Sequence, residues 1–397
     1  MRLLLSAFAC DTVTGSECYV GWSWATRLAK KHDLTVLTRT YSARLIAEHA
    51  PEAGLNLIHF DLPFCAGKNH YWRFIKPYYV LWQMAALFFV LWHHLARRFE
   101  VIHHLTYNVI EMPGFLGFVP GAKFVWGPVG GGQVPPESLK EVYGKGWLKQ
   151  RIRRMSKRLS PYYPHVVFAA WRARHVFFAN AETAKLIQRY CRSSSIMLET
   201  AIDPPPLAAK EPHAGLRLLW LGNVIDRKAL IIAMEALGKL FARRPDIDVT
   251  LTVAGDGPML PAAKARAEDL GITSHCEFRG RVPFAEVMGL VEACDAFLFT
   301  SVQDTSGNVV LEAMSRGAPV ITLDHQGAAV IVTEASGQKV PVGEIDAVAE
   351  GFAKAIERYA DDPALRERAG AEAHAEIERS HRWDSRMETY EAVLARI

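Results

Sequence analysis

Along this chain, short apolar runs alternate with stretches in which apolar positions return at helical spacing. That is the pattern of parallel sheets covered by helices on both faces. In the first half, residues 3–8, 34–38, 55–60, 101–104, 124–126 and 176–179 read as strands, with helices over 19–31 and from about Glu182. Residues 202–215 break the rhythm with Pro204, Pro205, Pro206 and Pro212 and read as a linker. A second run follows at once, with strands over 217–221, 249–254, 276–279, 296–300 and 319–323, and helices over 230–241, 261–270, 284–293 and about 308–315. The fold class predicted is α/β, two doubly wound Rossmann-like domains. Such domains carry ligand-binding loops at the carboxyl ends of their strands, expected here to face each other across a cleft.

The length agrees, because 397 residues exceed the size at which one core usually stops growing. With 50% hydrophobic and 22% charged residues, the composition excludes a disordered or fibrous chain. A net charge of +4 leaves no footprint for nucleic acid, so the clustering of charge matters more than its sum. Cys10, Cys18, Cys65, Cys191, Cys276 and Cys294 include no C-x-x-C pair, which argues against a zinc site or disulfide framework and for a reducing cytoplasm. The first ten residues are too brief for a signal sequence and read as a buried strand.

Two stretches bear on membranes. Residues 78–92, after Pro77, are almost continuously apolar apart from Gln83. This run falls short of the roughly 20 residues of a bilayer span, and a helix packed on the sheet is expected. Residues 140–158 carry Lys140, Lys145, Lys149, Arg151, Arg153, Arg154, Lys157 and Arg158 against Glu141 alone, while Trp147, Leu148, Ile152, Met155 and Leu159 recur at helical spacing. An apolar stripe flanked by cations fits a helix lying on an anionic membrane surface through residues 145–158, and equally a surface helix docked on its own domain.

Chemistry concentrates in residues 301–319, SVQDTSGNVVLEAMSRGAP. A strand end leads into a loop holding Thr305, Ser306 and Gly307, then an N-cap candidate at Asn308 and a helix closed near Gly317. A helix start with small residues before it offers free backbone N–H groups to an anion. Asp304 in the loop and Glu312 on the helix are two carboxylates able to hold hydroxyls at two ends of a bound molecule.

This stretch resembles the signature of the group 1 (family four) retaining glycosyltransferases of GT-B fold, in which two acids separated by seven residues precede E-A-M and then G-x-P-V. Here Asp304 stands at the first acid and Glu312 at the second, followed by Ala313, Met314, Gly317, Pro319 and Val320. The resemblance implies that Asp304 touches the transferred sugar, that the backbone from Ser306 through Gly307 and Asn308 to Val309 holds the diphosphate, and that Glu312 holds the ribose. Residues 219–228, LWLGNVIDRK, are similar to the family's donor-phosphate loop through Gly222 and Lys228, with Asn223 where Arg is usual and Arg227, next to Lys228, as the candidate to make up the lost charge. Residues 254–258, with Gly255 and Gly257, and 278–282, with Arg281 and Val282, resemble its A-G-x-G-P turn and base-side strand end. In the first half, the segment from Thr14 through Gly15 and Ser16 to Glu17 resembles a G-G-x-E loop near the donor, and residues 101–104 a D-V-V-H strand end. Residues 124–133, FVWGPVGGGQ, end in glycines that could admit an acceptor. His103 is a candidate for positioning substrate, and Tyr107, Asn108, Glu111, Trp126, Gly130 and Gly131 are acceptor-side candidates.

By the same resemblance, residues 1–203 form an acceptor domain, 204–375 a nucleotide-sugar domain, and 376–397, with Trp383 and Tyr390, a helix crossing back to the first. The activity implied is retaining transfer of a sugar from a nucleotide diphosphate sugar to a saccharide or lipid-linked acceptor in surface polysaccharide or glycoconjugate synthesis. The catalytic candidates are Asp304, Lys228 and His103. No metal or other cofactor is expected: the D-x-D formed by Asp246 and Asp248 leads into a strand instead of following one, so positive charge must come from protein groups. The location expected is cytoplasmic, peripheral on the inner membrane face. A sugar-nucleotide sensor or scaffold and a GT-B phosphorylase or epimerase are the rival readings.

Overall fold

The computed structural model describes residues 1–63, 74–208, 213–305 and 307–397. Pro212 and Cys65 lie outside the described residues; Cys10, Cys18, Cys191, Cys276 and Cys294 are free thiols. The chain divides into two compact units, the first made of Met1–Gly132, Met155–Thr200 and Met387–Ile397, the second of Gln133–Arg154 and Ala201–Arg386. Residues 133–154 thus group with the second unit, although they precede the linker.

The first unit contains β1 (Arg2–Ser6), α1 (Ser16–Leu28), β2 (Asp33–Thr38), α2 (Thr40–His49), β3 (Asn56–His59), α3 (Ile75–Arg97), β4 (Val101–His104) and β5 (Lys123–Val129). After α4 (Trp147–Leu159), a helix whose sequence runs from the second unit into the first, come α5 (Pro164–Arg172), β6 (His175–Phe178), α6 (Ala181–Ile187) and β7 (Ser194–Ile196). All pairings are parallel, in the order β3-β2-β1-β4-β5-β6-β7. The strand read as the last of this half is followed by β7, which is short and polar and therefore carries little periodic signal.

The central strands are buried on both faces, which is why they read as continuous apolar runs. One face packs Leu4, Ile102, Phe124 and Trp126 against Tyr79, Trp82 and Val90 of α3 and Val166 and Ala170 of α5. α3 is longer than the apolar run predicted, 23 residues, and alone among the described helices is long and apolar enough to cross a membrane. It packs on the sheet as expected, but only through one side.

The second unit contains β8 (Leu216–Leu221), α7 (Leu230–Arg243), β9 (Val249–Ala254), α8 (Leu260–Asp269), β10 (Cys276–Gly280), α9 (Phe284–Ala293), β11 (Ala296–Phe299), α10 (Asn308–Met314), β12 (Val320–Leu323), α11 (Gln326–Ile331), β13 (Gly337–Val340), α12 (Ile345–Asp361), α13 (Pro363–Ser380) and the start of α14 (Trp383–Leu394). Its strands are also all parallel, ordered β10-β9-β8-β11-β12-β13. Leu139, Val142 and Tyr143, from the segment before α4, fill this unit's core beside Leu230, Val348 and Tyr359. That burial explains why residues 133–154 belong here.

From Met387, α14 belongs to the first unit. Its Tyr390 ring packs on Trp24, His103 and Phe177, and its hydroxyl lies 3.0 Å from His103 Nδ1.

Candidate functional site

In the second unit, β9 and β10 extend the sheet from one side of β8, and β11, β12 and β13 from the other. The gap between the chain ends of β8 and β11 is therefore a topological switch point, where loops on the carboxyl edge diverge and leave room for a ligand. Gly222 and Asn223 follow β8, Gly255 and Gly257 follow β9, Arg281 and Val282 follow β10, and residues 300–307 follow β11. The described second-half candidates thus come to one edge.

Hydrogen bonds lace the two central loops together. Trp220 Nε1 donates to Thr300 Oγ1 (2.9 Å), which donates to the Lys228 carbonyl (2.8 Å). Ser301 Oγ and the Val302 N–H both donate to the Arg227 carbonyl, at 3.1 and 2.9 Å. Across this lacing Lys228 forms a tight ion pair with Asp304, and Arg227 stands 3.5 Å from the same carboxylate. Burial pushes the Asp304 carboxyl up, but Lys228 and then Arg227 outweigh it and hold the group below its ordinary value. Burial likewise draws the Lys228 ammonium down, against the pull of Asp304.

The loop is also held from behind. The Asp304 N–H donates to Gln326 Oε1 (2.8 Å), Gln326 Nε2 to the Val134 carbonyl (3.0 Å) and Gln303 Nε2 to the Gln133 carbonyl (3.0 Å). Gln133 Nε2 in turn donates to Thr305 Oγ1 at 2.5 Å. These three glutamines were invisible as a set in the sequence, where they lie in three separate segments with no common motif.

Gly307, with φ of 64°, is the N-cap of α10; Asn308, read as the cap, is the first helical residue. The left-handed conformation suits glycine and leaves the helix start without a side-chain cap. Ser306 lies outside the described residues. Val309 and Glu312 follow on α10, and burial raises the Glu312 carboxyl to about 7, with Arg316 pulling it back. At Gly255, φ is 154° and an added Cβ would stand 1.8 Å from the Gly222 carbonyl oxygen, so the turns after β8 and β9 can touch only because this residue has no side chain. Asn223 and Arg281 are exposed, and among the described residues neither joins the Lys228 cluster.

In the first unit the switch point falls between β1 and β4. Gly15 is the N-cap of α1 and Ser16 its first residue. Asp11 shapes this loop by accepting the Val13 and Thr14 N–H groups at 3.0 and 2.7 Å; the signal for it was an Asp with Thr three residues on. Glu17 accepts the Tyr107 N–H at 2.7 Å.

Several first-half candidates are structural. His103 is fully buried, with Nε2 2.7 Å from the Gly127 carbonyl and Nδ1 on Tyr390, so neither nitrogen is free for substrate. Trp126 is fully buried and donates to Asn108 Oδ1 (2.5 Å), while Asn108 Nδ2 donates to the His104 carbonyl (2.9 Å). The Gly130 N–H donates to the Asn108 carbonyl (2.9 Å) and its carbonyl accepts the Ile110 N–H (3.1 Å), and Glu111 pairs with Lys157. Gly131 is likewise buried, with Val109 and Lys157 around it, and Tyr107, partly exposed, is the acceptor-side candidate left open.

Against this geometry, the family model described as glycosyl transferases group 1 matches residues 215–362. Residues 215–362 are a group 1 glycosyltransferase domain. Every second-half candidate falls inside this glycosyltransferase domain. The lipopolysaccharide core biosynthesis glycosyltransferase LpsE of Rhizobium meliloti (strain 1021) is 30% identical over 158 residues, 40% of this chain and 43% of that protein. The phosphatidyl-myo-inositol mannosyltransferase of Mycolicibacterium smegmatis is 32% identical over 182 residues, 45% and 44% of the two chains. The chain thus spans less than half the length of these relatives. Anabaena HepE in complex with UDP matches 100% of both chains with a TM-score of 0.67 and 15% identity, a likeness of fold. The glycosyltransferase domain and the unit before it together have the GT-B fold.

Proposed function

We propose that this chain is a retaining glycosyltransferase that moves a sugar from a nucleotide diphosphate sugar to a saccharide or lipid-linked acceptor, in surface polysaccharide or glycoconjugate synthesis. The observation that carries the reading is the convergence of Arg227, Lys228, Asp304 and the start of α10 at the β8/β11 switch point of a group 1 glycosyltransferase domain. The names of the relatives, which concern lipopolysaccharide core and phosphatidyl-myo-inositol, support the acceptor class. HepE, which shares the fold, binds UDP.

In this scheme Lys228 and Arg227 neutralise the charge that develops on the departing diphosphate, taking the place of a metal ion. The bond from the sugar's anomeric carbon to the diphosphate breaks, and the acceptor hydroxyl bonds to that carbon on the same face. Its proton passes to a diphosphate oxygen. Asp304, released from Lys228 as the donor arrives, orients the sugar, and Glu312 holds the ribose. Tyr107 is the acceptor-side candidate that remains.

The protein acts in the cytoplasm at the inner membrane face. Support comes from α4, whose Leu148, Ile152, Met155 and Leu159 are exposed instead of docked, beside Lys149, Arg151 and Arg153. Arg151→Glu with Arg153→Glu should weaken salt-sensitive binding to anionic vesicles.

The test is thermal unfolding with uridine, guanosine and adenosine diphosphates and their sugars, followed by product analysis. A ligand at about 100 times its Kd should stabilise by about 2.7 kcal/mol, and Lys228→Met should abolish that shift. Nucleotide binding without sugar transfer would make the protein a sensor; no binding at all would end the reading.

A further inference from the structure

The outer side of α3 is apolar along its whole length. Leu81, Met84, Phe88, Trp92 and Leu95 fall on one stripe at helical spacing, and the last three are 72%, 76% and 76% exposed. Hydrophobic residues scattered singly on a surface need no explanation, but a continuous stripe on a helix does. The opposite side of α3, with Tyr79, Trp82 and Val90, is locked into the core of the first unit. A bilayer crossing would strip that core, so the helix is placed to lie along a surface and not to span one.

The surroundings say what kind of surface. No Asp or Glu occurs from residue 75 to 99, while Lys76 stands at the start of α3 and Arg97 and Arg98 at its end, all three exposed. The turn at Leu116–Phe118 and helix α5 cover the same face of the sheet, through Leu116, Val166 and Ala170, and they expose Phe118 and Trp171. Arg192 lies 4.9 Å from the Trp171 ring centroid. Arg172 loses proton affinity first through burial and then through Arg174 and Arg192, the mark of cations crowded on one side. No acid occurs from residue 142 to 181 either.

We infer that the first unit docks on an anionic lipid bilayer through the outer stripe of α3, with the aromatic and apolar side chains entering the headgroup and upper acyl region and the flanking arginines and Lys76 meeting lipid phosphates. A second copy of the chain fits this face less well, because a two-fold interface would set the same arginines against one another. The inference shares its partner with the peripheral-membrane reading of α4 but stands on a different helix and a different force. Charge attraction is screened by salt, whereas burial of the α3 stripe is not.

The experiment is sedimentation of the full chain with phosphatidylcholine vesicles containing phosphatidylglycerol, at about 0.1 and about 1 M salt, where the screening length is about 10 and about 3 Å. The wild type should keep a salt-resistant share of binding. Phe88→Ser, Trp92→Ser and Leu95→Ser combined should lower partitioning at high salt by at least roughly tenfold, since they remove the three most exposed apolar side chains of the stripe. Because the three side chains face solvent, the melting temperature and the nucleoside diphosphate-induced shift should stay unchanged, which separates this test from failure of the transferase reading. The Arg151→Glu, Arg153→Glu variant should lose binding mainly at low salt. Unchanged vesicle binding at high salt in the triple variant overturns the inference, and a dimer dissolved by the same substitutions without loss of vesicle binding would assign the stripe to self-association instead.

Discussion

Removing Lys228 tests the central pair most directly. Its side chain and that of Asp304 are only 13% and 18% exposed, so both have given up most of their hydration for each other. Breaking a buried pair by deleting one partner usually costs about 3–5 kcal/mol. Here Arg227, 3.5 Å from the carboxylate but 38% exposed, and the Thr305 N–H at 3.0 Å retain part of the compensation. Lys228→Met should therefore destabilise the ligand-free protein by roughly 2–3 kcal/mol. Asp304→Asn leaves Lys228 beside Arg227 in a site that already draws protons off the ammonium, and should cost roughly 1–3 kcal/mol. With both charges removed, neither is stranded, so the double variant should lie at least about 1.5 kcal/mol above the sum of the singles. Urea unfolding of the four proteins closes the cycle. Asp304 is held below its ordinary value, so its contribution is present at neutral pH and disappears as pH falls through that depressed range. The Asp304→Asn difference should shrink on acidification. Single variants that add within about 0.5 kcal/mol would refute the pairing.

Other perturbations separate the site from its support. Glu312 is raised to about 7 from 4.5, so the folded state binds the extra proton and stability falls as pH rises between those values; Glu312→Gln should raise stability by roughly 2–3 kcal/mol above pH 7 and by little near pH 4, read by calorimetry. Tyr390→Phe keeps the ring packing but leaves His103 Nδ1 buried without its donor, which should cost about 1–2 kcal/mol and lower the melting temperature by about 2–8 °C. His103 is lowered to about 4, so the unfolded chain takes up its proton first and wild-type stability should decline as pH drops from 6.5 toward that value. Gly255→Ala would drive a methyl into the Gly222 carbonyl, and a loss of at least about 3 kcal/mol or failure to yield soluble protein is expected on expression.

Much of the site was readable because its residues sit within single loops. Gly222 through Lys228 and Asp304 through Glu312 are local strings, and the strand before each is an apolar run, so their placement at the carboxyl edge follows from the alternation alone. What local strings cannot show is the partner on a distant segment. Tyr390 meets His103 across 287 positions, and that contact turns a candidate for substrate positioning into a core histidine. Trp126 misled for the same reason, since aromatic character before a glycine loop says nothing about burial. The short edge elements β7, α11 and β13 were unread because runs of this length carry too few positions to show a period. In α3 and α4 the periodicity identified the helices correctly, yet an apolar stripe reads the same whether it meets a sheet or water.

The interleaving of the two units sets rules for anyone recombining this protein with a relative. A gene cut at the proline-rich segment would deliver a C-terminal piece without Leu139, Val142 and Tyr143 and an N-terminal piece without Tyr390. Each piece would carry an open seam in its interior. A chimera that exchanges the second unit must import residues 133–154 with it and return the stretch from Met387 onward to the first unit. Joints at those four crossings, and not a single joint at the linker, are where hybrids of this architecture should stay soluble.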